Sequence, residues 1–414
     1  MRSILLACSL MFNGCRTTEE AGLVEFWAFG SEGEVARQLA AEFERLNPEI
    51  RVRVQQIPWS AAHEKLLTAY AGGNLPDVFQ LGNTWIAEFA ALRALDDVSA
   101  RFGNTGRKGD YFEGALDAAV VDGRMWAVPW YVDTRILFYR RDLLEAGGIA
   151  SPPRSWEGWF EVMSRIREHT GDFGLFLPID EWEVPVILAT QQGAALLKDG
   201  NRYGDFLHPD FQAAFDSYLR WFREKLAPAE TSGQMANLYR EFGRGYFAAL
   251  ITGPWNLGEF RRRLPALDAA AWDTAPLPSF DGSYPGVSLA GGASLALAAA
   301  SKRKEAAWRL IDFLTAPPQQ IRLYRLTGDL PPGRTAWRDP VLAGDRKAQS
   351  FRSQMDRLAP LPKIPEWERI ASRIAVCAEK AARGEMAPAT ALEALNTEAD
   401  RILEKRRWLL ERGL

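Results

Sequence analysis

The sequence is poor in the residues that build metal centres and disulfide frameworks. Its 414 residues include three cysteines and three histidines, and none of them lies within ligand spacing of another. A closed zinc site needs about four such ligands, and a disulfide-rich fold needs paired cysteines. We therefore expect no metal site. The chain also lacks a glycine loop with the spacing that cradles phosphates, so no motif points to a cofactor.

An excess of positive charge is also missing. Lysine and arginine number 50, aspartate and glutamate number 53, and the net charge is −3. Proteins that bind nucleic acid concentrate positive charge against the phosphate backbone, so nucleic acid is not expected as a partner. None of the three histidines lies in a motif that pairs it with a nucleophile and an orienting acid, which leaves a hydrolytic triad without support.

Long apolar runs are absent as well, and the one at the N-terminus is short. Arg2 is followed by a nine-residue apolar stretch, 4–12, and then by Gly14 and Cys15. This order is typical of a secretory leader and is too short to span a bilayer. A cysteine after a small residue resembles a bacterial lipoprotein signal, which would attach a lipid at Cys15. An ordinary signal or a misplaced start codon is the alternative. Residues 1–21 are thus predicted to be a leader of an exported protein, periplasmic or at the cell surface, that touches the membrane only through its anchor.

Strand-like and helix-like segments alternate along the rest of the chain. A strand at 23–27, a glycine turn at 30–33 and a helix from Val35 begin the series, and the pattern restarts at 135–140 after a polar stretch. The tail from 365 is predicted to be helical with a break at Gly384. Alternation of this kind predicts α/β architecture with two lobes, each a mostly parallel sheet flanked by helices. Ligands of such sheets bind beyond the carboxyl ends of the strands, which places a site between the lobes.

Several longer stretches carry a family resemblance. They include VEFWAFGSEGEVARQLAAEFERLNPEIRVRV from Val24, GNLPDVFQLGNTWIAEFAALRALDDV from Gly73, GRMWAVPWYVDTRILFYRRDLLEAGGI from Gly123, FAALITGPW ending at Trp255, and TGDLPPGR ending at Arg334. In this order they resemble the extracellular solute-binding proteins of bacterial ABC sugar importers, the family that includes maltose-binding protein. The resemblance covers nearly the whole mature chain.

The resemblance implies a fold and a function. The fold is the type II periplasmic-binding-protein-like arrangement, in which two lobes close about a hinge. The chain would cross between lobes near Val132, Ala275 and Thr315, so that lobe one holds 22–132 and 276–315 and lobe two holds 133–275 and 316–414. The implied function is capture of a carbohydrate, an oligosaccharide or related polyol, and its delivery to ABC transporter permease subunits by a monomer without catalytic activity.

The resemblance also nominates ligand-binding residues, because a sugar offers C–H faces to aromatic rings and hydroxyl edges to polar groups. Trp255 in its Gly-Pro-Trp context would stack on a sugar ring; an ordinary core tryptophan is the alternative. Asp133 would accept hydroxyl hydrogen bonds and Trp130 would be a second platform, unless this segment is a hinge strand with a buried aspartate. The remaining candidates are Ser31, Glu32, Gln80, Asn83, Thr84, Glu181, Trp182, Gly292, Arg334 and Trp367. Of these, Arg334 and Trp367 would be rim contacts or merely structural.

Two details limit these expectations. Maltose-binding protein carries an aspartate and a lysine where Ser31 and Glu32 stand, so maltodextrin specificity does not carry over. The acids beside Trp182 could also serve an exported carbohydrate-active hydrolase, but catalysis would need a partner carboxylate across the cleft. A sugar sensor that presents its closed form to a receptor would use the same cleft as a transporter component.

Trp156 differs from the candidate ligand residues. It lies at helical spacing with other apolar residues and is predicted to be part of the core.

Overall fold

The computed structural model describes residues 22–235, 237–264, 267 and 270–413. Its strands are β1 (Leu23–Phe29), β2 (Arg51–Ile57), β3 (Val78–Gly82), β4 (Val120–Val121), β5 (Arg124–Met125), β6 (Ala127–Asp133), β7 (Ile136–Arg140), β8 (Phe173–Phe176), β9 (Leu197–Lys198), β10 (Tyr203–Gly204), β11 (Phe247–Thr252), β12 (Trp272–Ala275), β13 (Ser288–Leu289), β14 (Gly291–Leu297) and β15 (Leu358–Ala359).

The helices are α1 (Gly30–Leu46), α2 (Trp59–Ala71), α3 (Ile86–Ala91), α4 (Ser99–Gly103), α5 (Glu113–Ala118), α6 (Arg141–Ala146), α7 (Trp156–Thr170), α8 (Glu183–Gln191), α9 (Pro209–Arg223), α10 (Leu238–Arg244), α11 (Trp255–Arg263), α12 (Lys304–Leu314), α13 (Pro317–Thr327), α14 (Pro340–Ala343), α15 (Arg346–Gln354), α16 (Trp367–Ala382), α17 (Pro388–Ile402) and α18 (Glu404–Glu411). Short 3-10 turns lie at Asn83–Trp85, Lys108–Asp110 and Ala336–Arg338.

The first lobe is built on a five-stranded sheet in the order β2, β1, β3, β14, β6. Strands β1, β2 and β3 are parallel, whereas β14 runs antiparallel to both β3 and β6. All five residues of β3 are buried, as expected of a strand covered on both faces. Phe26, Phe79 and Trp130 lie in the core that helices α1 and α12 close over this sheet.

The second lobe is built on a four-stranded sheet in the order β12, β7, β11, β8. Strand β11 is parallel to β8 and antiparallel to β7, and β12 is antiparallel to β7. Helices α7, α8, α9, α16 and α17 supply its largest apolar core, which contains Trp159, Trp221 and Trp367. The predicted two-lobed α/β fold is confirmed. Both sheets are more mixed than predicted, because strands that follow a crossing between lobes enter without a crossover helix and run antiparallel to a neighbour.

The chain passes between the two sheets at a few points. Strand β6 of the first sheet leads into β7 of the second, and β12 of the second sheet is followed by β14 of the first. Ser279 stays with the second lobe, since its N–H donates to the Arg154 carbonyl at 3.1 Å and its carbonyl accepts from the Trp156 N–H at 3.2 Å. The lobe boundaries stay a prediction, and these bonds favour a second boundary near Ala290 rather than at Ala275.

Helix α1 begins earlier than the sequence pattern indicates. The stretch 30–33, predicted to be a turn, is the first turn of α1, which follows β1 directly through an extended Phe29 and a Gly30 with φ of 51°. The first N–H groups of a helix carry partial positive charge, and an acid in the first turn is favoured there. Ser31 and Glu32 therefore lie at a helix N-terminus, at the carboxyl end of β1.

The described residues contain neither a membrane-spanning helix nor a cluster of metal-binding side chains. No helix in this part of the chain is long and apolar enough to cross a membrane. No group of three or more His, Cys, Asp or Glu side chains in the same part could hold a metal ion. Cys15, with the rest of the predicted leader, lies outside the described residues.

Candidate functional site

A cavity of about 430 Å³ lies between the two sheets. The start of α1, the segment after β3, the end of β6, and the starts of α8 and α11 all reach it, so both lobes contribute to its wall. This agrees with the expectation that ligands bind beyond the carboxyl ends of strands. The wall combines five aromatic side chains with six carboxylates and one arginine. The aromatic residues are Trp59, Trp85, Tyr131, Trp182 and Trp255, and the acids are Glu32, Asp133, Glu183, Glu259, Asp329 and Glu368.

The tryptophans stand on opposite sides of the cavity. In the first lobe Trp59 and Trp85 meet edge to face with ring centroids 5.5 Å apart. In the second lobe Trp182 is supported by an edge-to-face contact with Trp367 at 5.5 Å. Rings held in this way offer flat apolar surfaces of fixed orientation, which suit the C–H face of a sugar ring.

Trp255 lines another part of the cavity wall, beside Arg135. The guanidinium of Arg135 lies over its ring, 4.8 Å from the centroid. Gly253 packs so closely that an added Cβ would lie 1.9 Å from the Trp255 ring. One side of the indole is thus covered by the protein, and the ring begins helix α11 at the cavity rim, as predicted for a Gly-Pro-Trp turn.

Arg135 joins two of the acids. Its guanidinium donates to both carboxylate oxygens of Asp133, at 3.0 and 2.9 Å, and to Oε1 of Glu183 at 2.6 Å. The Arg135 side chain is 11% exposed. Burial opposes its charge, but Asp133 and Glu183 hold the pKa of Arg135 above its usual value. The triad is therefore charged and rigid, and its remaining carboxylate lone pairs can accept hydrogen bonds from ligand hydroxyls.

A second acidic pair lies at another part of the wall. Glu32 and Asp329 are 3% and 2% exposed, and their carboxyls lie within hydrogen-bonding reach of each other. Burial raises the pKa of both, and the charge of Glu32 raises that of Asp329 further. Hydrogen bonds from Tyr131, Trp59 and Ser31 partly offset this rise at Glu32.

The structure brings eight of the predicted residues to the cavity wall. These are Ser31, Glu32, Asn83, Thr84, Asp133, Trp182, Trp255 and Gly292. Their contact with a ligand stays a prediction, because a residue that lines the cavity does not necessarily contact the ligand bound there.

Three predicted ligand residues are buried and do not line the cavity, so a direct ligand contact for them has no support from this geometry. Trp130 is 0% exposed and packs edge to face on Phe26, because successive side chains of β6 point to opposite faces and the cavity receives Tyr131 instead. Trp367 is also 0% exposed. It supports Trp182 from behind rather than forming a rim contact.

Gln80 is the third of these. It is 0% exposed; its Oε1 accepts from the Phe29 N–H at 2.7 Å and its Nε2 donates to the Tyr131 hydroxyl at 3.2 Å. It positions the aromatic residue that does line the cavity. Both the oxygen and the nitrogen of this buried amide are thus bonded to groups of the protein.

Two other predicted residues also lie off the wall. Glu181 accepts a hydrogen bond from the Ser232 hydroxyl at 3.4 Å, and burial raises its pKa to about 7. Arg334 lies over the ring of Phe112, 4.4 Å from the centroid. Neither lines the cavity, so a direct ligand contact for either has no support from this geometry.

Several wall residues were missed by the sequence reasoning. Trp59 and Trp85 each follow a strand end closely, which was a usable signal. Arg135 follows Asp133 by two residues, but its pairing with Glu183 spans 48 positions and leaves no local pattern. Asp329 meets Glu32 across almost 300 residues of chain. Such long-range partners could not be found from spacing.

Comparisons with known proteins agree with this architecture. The family model described as bacterial extracellular solute-binding protein matches residues 29–321. The diacetylchitobiose-binding protein DasA of Streptomyces coelicolor is 27% identical over 336 residues, 80% of this chain and 77% of that protein. An uncharacterized lipoprotein in the oleD 5' region of Streptomyces antibioticus is 27% identical over 80% of this chain and 76% of its own length. The solved structure of the sugar-binding protein MalE from Xanthomonas citri is similar with a TM-score of 0.88 and 42% identity, covering 94% of this chain and 99% of that one.

Proposed function

The chain belongs to the bacterial extracellular solute-binding protein family, and on that premise we propose that it captures a carbohydrate between its lobes and delivers it to the permease subunits of an ABC transporter. The ligand class is an oligosaccharide or a related polyol. The observation that carries the proposal is the mixed composition of the cavity wall. Tryptophans from both lobes provide stacking surfaces, and the Asp133, Arg135 and Glu183 triad provides hydroxyl partners.

The names of similar proteins support the same ligand class. One of them is a diacetylchitobiose-binding protein, and a similar solved structure is described as a sugar-binding protein. A cavity of about 430 Å³ falls within the range of about 300 to 1,000 Å³ usual for small-molecule sites. The site therefore has room for a small sugar and the two residue types that a sugar requires.

A thermal-shift screen over mono-, di- and trisaccharides tests this proposal. A ligand present at about 100 times its Kd should stabilise the native state by about 2.7 kcal/mol, because it binds only the folded protein. We expect at least one sugar to raise the melting temperature of the wild type and to lose this effect in Trp255→Ala. A panel in which no carbohydrate shifts the transition would contradict the proposal.

We also propose that the bound sugar is not turned over. The relatives are binding proteins, and Asp133 and Glu183 of the wall are held by Arg135. Calorimetry should give one site per chain with Kd of about 1 μM, which corresponds to about −8 kcal/mol. Appearance of a cleaved product after long incubation with the sugar would show an enzyme instead.

Ligand capture should couple to lobe closure in a monomer. A ligand that touches both walls stabilises the state in which the walls are nearest, so it shifts the population toward that state. Small-angle scattering should give a smaller radius of gyration with the sugar than without it, at a molecular mass of one chain. An unchanged radius at saturation would contradict the hinge.

The N-terminus is proposed to be a lipoprotein leader with Cys15 as the acylated residue of the exported protein. Similarity to an uncharacterized lipoprotein supports this placement. Mass spectrometry of the membrane fraction should find an acylated Cys15, and Cys15→Ser should release the protein into the soluble fraction. A soluble wild type that begins at another residue would refute the anchor and leave export intact.

A further inference from the structure

The acids of the cavity wall differ in whether a positive charge already faces them. Asp133 and Glu183 share Arg135. Glu259 forms ion pairs with Arg262 and Arg263 of its own helix. Opposite charge offsets the cost of burying each of these acids. These three carboxylates therefore have their counter-ions within the protein.

Glu32 and Asp329 have no such partner among the residues that the structure describes. Neither forms an ion pair there, and the groups that donate to Glu32 are uncharged: its own backbone N–H and the side chains of Tyr131, Trp59 and Ser31. Oδ2 of Asp329 is buried and receives no N–H or hydroxyl donor from that part of the chain. Both side chains nevertheless line the cavity. The fold thus presents two buried acids, side by side and without a counter-ion, to the space that a ligand occupies.

The surroundings of this pair fit a cation better than a neutral hydroxyl. An ammonium group brings a positive charge and up to three N–H donors, whereas a hydroxyl brings one donor and no charge. Trp59 and Tyr131 also line the cavity beside the pair, and both donate to Glu32 as neutral groups that bring no counter-charge. Burial raises the pKa of both acids and an ammonium group beside them lowers it again, so a cationic ligand favours the ionised carboxylates with which it pairs.

We propose that the end of the cavity formed by Glu32 and Asp329 binds a protonated amine, so that the captured carbohydrate carries a cationic nitrogen, as an amino sugar does. This inference rests on the proposed carbohydrate function and names the ligand class within it. The Asp133, Arg135 and Glu183 triad and the tryptophans take the hydroxyls and ring faces of the same ligand.

Calorimetry with three matched disaccharides tests the inference. The probes are the free-amine dimer of glucosamine, its N-acetylated form and cellobiose, which share one linkage and differ at the substituent on carbon 2. A second set of glucosamine, N-acetylglucosamine and glucose removes the dependence on linkage. At low salt and at a pH where the amine is protonated, the free-amine member of at least one set should bind at least about tenfold more tightly than both neutral members.

The isosteric double variant Glu32→Gln, Asp329→Asn should abolish this preference. It removes two buried charges that have no partner, so it should fold, and a melting curve checks this. The matched control is Glu34→Gln, which removes an exposed carboxylate from the same helix and should keep the preference.

Three results would overturn the inference. The first is that in neither set does the free amine bind the wild type more tightly than both of its neutral counterparts. The second is a preference for the amine that survives in the double variant. The third is binding of neutral sugars from the wider screen with no binding of either amine. Each of these leaves carbohydrate capture standing, whereas a protein that binds neither neutral nor cationic sugars contradicts the proposed function itself.

Discussion

Replacement of two tryptophans by alanine should separate the ligand wall from the core. Trp255 lies at the cavity with Arg135 over its ring at 4.8 Å, so the protein covers one face and the other is available to a sugar. A tryptophan buries about 150 to 250 Å², and half of that at about 25 cal/mol per Å² corresponds to about 2 to 3 kcal/mol. Trp255→Ala should therefore weaken sugar binding by about 30-fold to 150-fold. The stability of the unliganded protein should change little.

Trp156 provides the contrast. It is 2% exposed, its Nε1 donates to Oε1 of Gln191 at 2.7 Å, and its ring meets that of Trp221 edge to face at 6.3 Å. Trp156→Ala should leave a large cavity and an unpaired amide, at a cost of about 3 to 5 kcal/mol in the free energy of unfolding. Its folded fraction should bind the sugar with wild-type affinity, and Trp156→Phe should recover much of the stability.

Both variants are to be measured by melting without ligand and by calorimetry with the sugar that the screen selects. The reasoning predicts that one variant changes affinity and the other changes stability. If Trp255→Ala binds normally, or if Trp156→Ala loses affinity while remaining stable, the sugar does not lie against Trp255 and the wall has been assigned incorrectly.

Other perturbations test neighbouring parts of the site. Arg135→Met should lower the free energy of unfolding by about 3 to 5 kcal/mol in urea titrations, since it leaves two largely buried carboxylates without a counter-ion; an unchanged midpoint would refute the triad. Burial raises the pKa of Glu181 from 4.5 to about 7, so the native state binds more protons than the unfolded state between these values and stability falls as pH rises through them. Glu181→Gln should remove that decline from melting curves, and parallel curves for variant and wild type would contradict it. Gly253→Ala should displace the Trp255 ring and reduce affinity as Trp255→Ala does, because the new Cβ would lie 1.9 Å from the ring and 2.6 Å from Oδ1 of Asp133; full affinity would show that the ring is not required where it stands.

The elements of the fold were largely predictable because their signals are local. The alternation of apolar residues identified β1 and β2, and helical spacing identified α7 with Trp156 on its buried face. The positions of Trp255 and Trp182 after strand ends placed them at the cavity, where the structure has them. Local pattern is enough in these cases because the direction of a side chain follows from its position in a strand, turn or helix.

The choice between adjacent aromatic residues could not be made in the same way. Trp130 and Tyr131 are neighbours on β6, and both are buried, at 0% and 5% exposure. A strand covered on both faces is apolar throughout, so its sequence does not reveal which face meets the cavity. In the structure, hydrogen bonds to Gln80 and to Glu32 hold the Tyr131 hydroxyl at the site.

The ionic structure of the site was hidden for a different reason. The partners of Arg135 come from the end of β6 and the start of α8, and Glu32 and Asp329 are almost 300 residues apart in the chain. Charged side chains pair when they are close in space, and the spacing of residues along the sequence does not show which of them are close. The sequence therefore indicated which segments approach the cavity, whereas the pairing of the charged wall residues can be seen only in the folded structure.

The most direct test of the account is a crystal structure of the protein with the sugar that most raises its melting temperature. We predict one sugar molecule between the lobes, with a ring against the free face of Trp255 and hydroxyls bonded to Asp133 or Glu183. Density for the sugar on an outer surface, or in contact with one lobe only, would contradict the claim that this cavity is where the protein captures its ligand.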